Sequence, residues 1–430
     1  MKKGNIFTLI LCLPAFLLTK SCQDRTFMTF TANVPVYMSY DDLRSAVSVS
    51  ASRELNQPGA IYFKDHYMFI NEYREGIHII DIADPADPSE ISFISIPGNI
   101  SMAIKGDILY ADSYIDLVLI DISDPGQPSE SGRLKEILNY TLPEYDINYP
   151  VDEIDKEKGV VTGWEVKEIK REVYPNYYPW PIYYDYAELS NSRGMGYYSS
   201  PSSSSEYGVA GSMASFLTYD KYLYLLQDRS NLQTIDISQS PEPVVVDKQY
   251  ISWDLETMFI TGGYMYIGAS SGMHILSLTN PAVPAKKSTY QHFTSCDPVV
   301  VSGNYAYITL RAGNFCGGTI NELDVVDISD KYNPVRIAEF EMQEPFGLAV
   351  DGNHLFVCEG DFGMKVYDIT DKLHIDDNRI ALFPDFHSRD IILAGDLLFL
   401  TGDDGFYIYD KSDVENISLI GNIPVVSPEE

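Results

Sequence analysis

Leu117-Val118-Leu119-Ile120-Asp121-Ile122 decides the fold, because the same phrase returns along the chain: an apolar run closed by an aspartate and followed by a turn. The other copies lie at residues 77–82, 232–237, 273–278, 323–328, 364–369 and 406–411, which makes seven in all. The closing positions are Asp81, Asp121, Asp236, Ser277, Asp327, Asp368 and Asp410, separated by 40, 115, 41, 50, 41 and 42 residues. The unit is therefore about 41 residues, interrupted by one large and one small insertion, and a period of 40 to 45 residues with four short strands marks a propeller blade.

The sixth unit divides into strands at 346–350, 354–358, 364–369 and 379–383, broken by Asp351-Gly352-Asn353 and Gly360-Asp361-Phe362-Gly363. The seventh repeats this at 390–393, 397–400, 406–409 and 417–423. Lettered A to D from axis to rim, these strands predict an all-β fold, a single seven-bladed β-propeller of four-stranded antiparallel blades over residues 45–424. Radial repetition also explains how a body this long stays folded, since each blade interface supplies its own apolar layer.

The phrase around Asp121 resembles the LVIVD repeat family. The resemblance implies a surface-associated propeller with no assigned reaction.

Lys2 and Lys3 precede an apolar run, residues 6–18, that is too short to span a bilayer. The reading is a signal peptide over 1–21. Thr19-Lys20-Ser21-Cys22 resembles the lipobox of bacterial lipoproteins, although Lys20 departs from its strict form. The expectation is an exported protein, lipid-anchored through Cys22 to the outer membrane or cell surface, with a tether over 22–44 and a tail over 425–430. The formal charge of −32 argues against nucleic acid as a partner.

Prolines at 88, 128, 243, 284 and 334 stand seven residues beyond the closing position. Aspartate accepting turn N–H groups, with proline setting φ, is turn chemistry, so the repeated Asp is read as structural rather than as a calcium ligand. His78 and His274 share one place in strand C, and His66 and His354 one place in the A–B turn. Repeat position explains all four. The sequence has no zinc signature, nucleophile elbow or P-loop, so neither cofactor nor metal is expected; a calcium ion on one face is the lesser alternative. Cys296 and Cys316 bracket the hairpin that turns at Ser302-Gly303-Asn304, which predicts a disulfide, whereas Cys358 within strand B is read as a buried thiol.

Strand alternation puts all B–C loops and D–A connections on one face, here called the top, and the Asp-Pro turns on the other. Candidate ligand-binding residues on the top are Asn71 and Glu72 in the first blade, Asp112 in the second, and Asp228 and Arg229 in the third. Arg311 comes from the fifth blade, Glu359 and Asp361 from the sixth, and His387, Arg389, Asp390 and Asp403 from around the seventh. The insertion at 137–211, rich in Tyr and Pro, joins this side. Its residues 160–173 read as a strand, with the expectation that it replaces the outer strand of blade two. The segment 47–55 reads as a leftover outer strand that pairs beside 417–423 and closes the ring.

These features favour a non-catalytic binding or scaffolding module of the cell envelope, engaging a protein, glycan or cationic ligand. The alternative is a polysaccharide lyase or hydrolase using His387, Arg389 and the carboxylates.

Overall fold

A computed structural model describes residues 26–173, 209–210, 214–291, 298–312, 320–386, 388–402 and 405–426. The signal segment, Cys22, Cys296, Cys316, His387 and Asp403 lie outside the described residues.

Seven sheets of consecutive antiparallel strands form a seven-bladed β-propeller. Blade six is built from Leu348–Asp351, His354–Cys358, Met364–Asp368 and Arg379–Phe383, and blade seven from Asp390–Ala394, Leu397–Gly402, Gly405–Asp410 and Ser418–Pro424. The A strands of neighbouring blades approach one another, so they line the axis.

The third residue of every B strand is a buried aromatic: Phe69, Tyr110, Tyr224, Tyr266, Tyr307, Phe356 and Phe399. Alternation along strand B turns this residue into a blade interface, where a large ring fills the space between twisted sheets. Each blade also carries one register shift between strands C and D, at Ile79/Ile80 in blade one and at Val366/Tyr367 in blade six, for example. A bulge at the same place in each outer strand adds local twist.

The repeated aspartates behave as the sequence reading requires. Asp81, Asp121, Asp236, Asp327, Asp368 and Asp410 each accept the backbone N–H two residues on, at 2.7–2.9 Å. In all seven blades the next residue's N–H donates to the A–B turn, as from Ile82 to the His66 carbonyl at 2.9 Å. The bottom of each blade is thereby tied across its own strands.

The ring closes through side chains, and two of the expected strand pairings are corrected. Ser48–Ser50 pairs with Ser89–Ser95 on the outer edge of blade one, not beside blade seven. The partner is local: Glu90 accepts the Arg53 N–H at 3.2 Å and the Arg53 guanidinium lies 3.8 Å from the Phe93 ring centre. A bridge between Leu55 and Val425, with the Val426 N–H donating to the Leu55 carbonyl at 2.8 Å, joins this segment to the end of blade seven. An apolar layer that includes Phe63 and Phe399, with ring centres 4.2 Å apart, seals blade seven to blade one. A Cβ at Gly421 would fall 2.2 Å from the Pro85 carbonyl oxygen, and one at Gly132 2.5 Å from that of Pro241. The closure thus uses the contact made between blades two and three.

The second correction concerns the insertion. Val160–Val173 is a strand, but blade two keeps its own outer strand, Ser129–Leu134, and Val160–Val173 pairs antiparallel with Thr26–Met38 from Met38↔Val160 to Thr26↔Val173. This two-stranded ribbon leads into a short helix, Tyr40–Ser45, whose Leu43 is fully buried with Tyr114, Ile115 and Val160. The base of the ribbon is therefore planted on the B–C turn of blade two, on the top face. Among the described residues no helix is long and apolar enough to cross a membrane.

Candidate functional site

The top-face residues named above fall into three groups, and the fold itself uses most of their polar atoms. In the first group, Glu72 ends strand B of blade one and is almost fully buried. Its carboxylate accepts the N–H groups of Asn56 at 3.1 Å and Gln57 at 2.6 Å and lies 3.1 Å from His78 Nε2. The other nitrogen, His78 Nδ1, is 2.5 Å from Glu90. Burial works against the Glu72 charge, but the His78 contact and the two backbone donors prevail and hold its carboxyl below the ordinary value.

Asn71 donates to Asn99 Oδ1 at 2.6 Å, and Asn99 Nδ2 donates to Asp112 Oδ1 at 2.8 Å, which links blades one and two. Asp112 Oδ1 also accepts the N–H groups of Ile100 and Ser101, both at 2.8 Å. Burial outweighs these donors and pushes the Asp112 carboxyl up to about 6. Nearby, Asp116 is fully buried between Arg44 at 3.1 Å and Arg133 at 3.3 Å, and it fastens the ribbon's helix to blade two.

The second group joins blades three and four. Asp228 and Arg229 adopt left-handed backbone, with φ of 47° and 50°. The turn aims Arg229 at Glu256, 2.6 Å away, and at Ser270 Oγ, 3.0 Å away, while Asp228 stays exposed and accepts from Asn231 at 2.8 Å. Sequence reading missed Glu256; its place just inside strand A of blade four, Leu255–Thr261, was the available signal.

The third group brings blades five, six and seven together. Arg311 and Arg389 both stack on the half-buried ring of Phe346, with guanidinium carbons 4.0 and 4.5 Å from its centre. Burial lowers the Arg311 pKa; the Glu344 charge opposes this and the like charge of Arg389 adds to it. Below them Glu359, fully buried, pairs with Lys365, and its N–H donates to Ser388 Oγ at 3.2 Å. Asp390 is buried at the start of strand A of blade seven, whereas Asp361 is exposed. Cys358 is a free, buried thiol, as expected, and burial holds its pKa well above the ordinary value. Phe346, which gathers this group, was not read as a site residue because aromatic residues recur along the whole chain.

Among the described residues, Glu322, Asp324 and Glu339 have carboxylates close enough together to hold a metal ion. They share the Arg336 guanidinium, at 3.4, 3.2 and 2.7 Å, and the Tyr290 hydroxyl donates to Asp324 at 2.6 Å.

The LVIVD repeat family model matches residues 60–94, 100–136, 256–292 and 295–340, which fall in blades one, two, four and five. No curated protein matches the chain. Among solved structures, the computationally designed Ika8 protein is similar at 11% identity, covering 88% of this chain and 92% of that one with a TM-score of 0.51, a likeness of fold alone. A functionally unknown protein from Desulfotomaculum acetoxidans is 11% identical over 86% of this chain and 100% of its own, with a TM-score of 0.49. BamB from Moraxella catarrhalis is 7% identical over 89% and 97%, with a TM-score of 0.47. The chain is thus a seven-bladed β-propeller with LVIVD repeats matched in four of its blades, and the other three have the same strand order and turn chemistry.

Proposed function

We propose that the chain is a lipid-anchored protein of the cell envelope that acts as a non-catalytic binding scaffold, with the top face as its ligand-facing side. The observation that carries this reading is the stack of Arg311 and Arg389 on Phe346, an arrangement that draws on three blades and is not repeated elsewhere among the described residues. Two guanidiniums around one partly buried ring suit recognition of a planar or carboxylate-bearing group on a protein or glycan. The alternative, a polysaccharide lyase or hydrolase, fits less well, because Glu72, Asp112 and Glu359 are engaged in holding loops and neighbouring strands.

The test is capture from envelope extract on the mature protein, comparing wild type with the Arg311→Ala/Arg389→Ala double variant at matched melting temperature. The same partners retained at equal yield would remove this site from the reading. Mass spectrometry of the native protein, reading a diacylglyceryl group on Cys22, tests the address separately.

A further inference from the structure

We propose that the outer half of the ribbon, residues 26–31 with 168–172, seats in the headgroup layer of the bilayer that holds the protein, and that the top face is turned toward that bilayer. The occupant of this surface is lipid. The proposal deepens the envelope reading and takes from it only that the anchor lies at the N-terminal side.

Thr26–Met38 contains no charged residue in a chain with 62 acidic ones. Its partner strand carries Lys167, Lys170 and Arg171 against Glu165, Glu168 and Glu172, so the ribbon sums to zero while the whole chain carries −32. An anionic membrane surface repels the body and not the ribbon.

The outer half has the composition of an interfacial element. Phe27 is 46% exposed, with the Lys170 ammonium 4.5 Å from its ring centre. Met28 stands opposite Arg171, and Phe30 opposite Ile169. Aromatic rings and long cationic side chains together suit the boundary between acyl chains and water, where the ring meets apolar groups and the ammonium reaches phosphate.

The placement follows from connectivity. Only residues 23–25 separate Cys22 from Thr26, a reach of about 14 Å for four extended steps. At the other end the ribbon is fixed to blade two by Leu43, Tyr114, Ile115 and Val160 and by the Arg44–Asp116 pair. Midway, the buried Asn33 donates to the carbonyls of Asp146 at 2.9 Å and Tyr149 at 2.8 Å, and it accepts the Asp146 N–H at 3.2 Å. A strand held at its base and its middle acts as a post, so the anchor side and the top face point the same way.

The experiment uses the mature chain with Cys22 replaced by an N-terminal hexahistidine tag, held on vesicles of phosphatidylethanolamine and phosphatidylglycerol (about 3:1) that contain nickel-chelating lipid. An environment-sensitive fluorescent amino acid is placed at Thr29, at Thr31 and, on the bottom face, at Glu415, and is quenched by lipids brominated near the headgroup. The expected result is quenching at Thr29 and Thr31 at least threefold above that at Glu415, reduced by a Phe27→Asp/Met28→Asp variant that keeps the wild-type melting temperature. Equal quenching at all three positions, or stronger quenching at Glu415, overturns the proposal. Because the tag supplies the anchor, an unmodified Cys22 in the native protein would defeat the lipoprotein reading and leave this result standing.

Discussion

Blades one and four place a histidine at the same point of strand C and surround it with opposite chemistry. His78 lies between Glu72 at the end of strand B and Glu90 on strand D. In blade four the corresponding residues are Ala269 and Lys286, and among the described residues His274 bonds to Thr289 Oγ1, 2.9 Å from its Nδ1. Burial and the nearby Lys286 charge push the His274 pKa down to about 4, against an opposing pull from Asp254. Repeat position fixes where an imidazole sits. The two residues beside it decide what it does.

The largest test of this contrast removes Glu72. A Glu72→Ala variant leaves the N–H groups of Asn56 and Gln57 and the Nε2 side of His78 without their shared acceptor in a buried place. A loss of about 3–5 kcal/mol is expected, read as a lower denaturant midpoint, since breaking a buried charged network strands its remaining members. An effect below about 1 kcal/mol would mean that blade one does not depend on the carboxylate that sets it apart from blade four.

The next test is pH. His274 has a folded pKa of about 4, below the ordinary 6.5, so its contribution to stability is complete above pH 6.5 and is lost as pH falls toward 4. Asp112 has the opposite sign: raised to about 6 from 3.8, its contribution is complete below pH 3.8 and is lost as pH rises through 6. Each amounts to about 3 kcal/mol, so across pH 4–6 they largely cancel. Asp112→Asn should make stability climb more steeply with pH over that window than in wild type, and His274→Gln should make it decline. Parallel stability–pH curves for the three proteins would contradict both assignments.

A smaller change converts one blade's chemistry toward the other's. Lys286→Glu gives His274 the carboxylate that Glu90 gives His78, and the imidazole pKa should rise by roughly two pH units, followed by NMR titration of the ring protons. A pKa that stays near 4 would show that burial, not the neighbour, controls this site.

The contrast also marks how far sequence reading carried. The blades, their strands and the Asp turns were legible because each follows from a short pattern that recurs at a fixed period. The aromatic at the third place of strand B is equally periodic, but Phe and Tyr interchange there among the many other aromatics of the chain, so it stands out less than the strand-C phrase. The ribbon was not legible: Thr26–Met38 and Val160–Val173 are separated by more than a hundred residues, and strand alternation carries no information about which partner a strand takes. For the top face, acidity could be read but direction could not. Glu72 and Asp112 turn inward because backbone N–H groups of Asn56, Gln57, Ile100 and Ser101 are waiting there, and such donors leave no mark in the sequence.

The smallest effect belongs to the bottom face, where the histidine lesson inverts. Asp121, Asp327 and Asp368 are the same residue at the same place in the turn, accepting the N–H two residues on at 2.9, 2.8 and 2.7 Å. The hydroxyls of Ser123 and Thr370 with their own N–H groups, and the Ser329 N–H with its hydroxyl, hold the three carboxyls below the ordinary value, so the turns should weaken only as pH falls into the acid range. Replacing any one of them with Ala should cost about 1 kcal/mol, the usual worth of a side chain that caps backbone N–H groups. The three losses should agree within about 0.5 kcal/mol, because each turn is bonded within its own blade. If Asp121→Ala cost several times what Asp327→Ala does, equal geometry would not mean equal energy even on the regular face. Agreement would place the individuality of this propeller on its top, where matching positions such as those of His78 and His274 hold unlike chemistry.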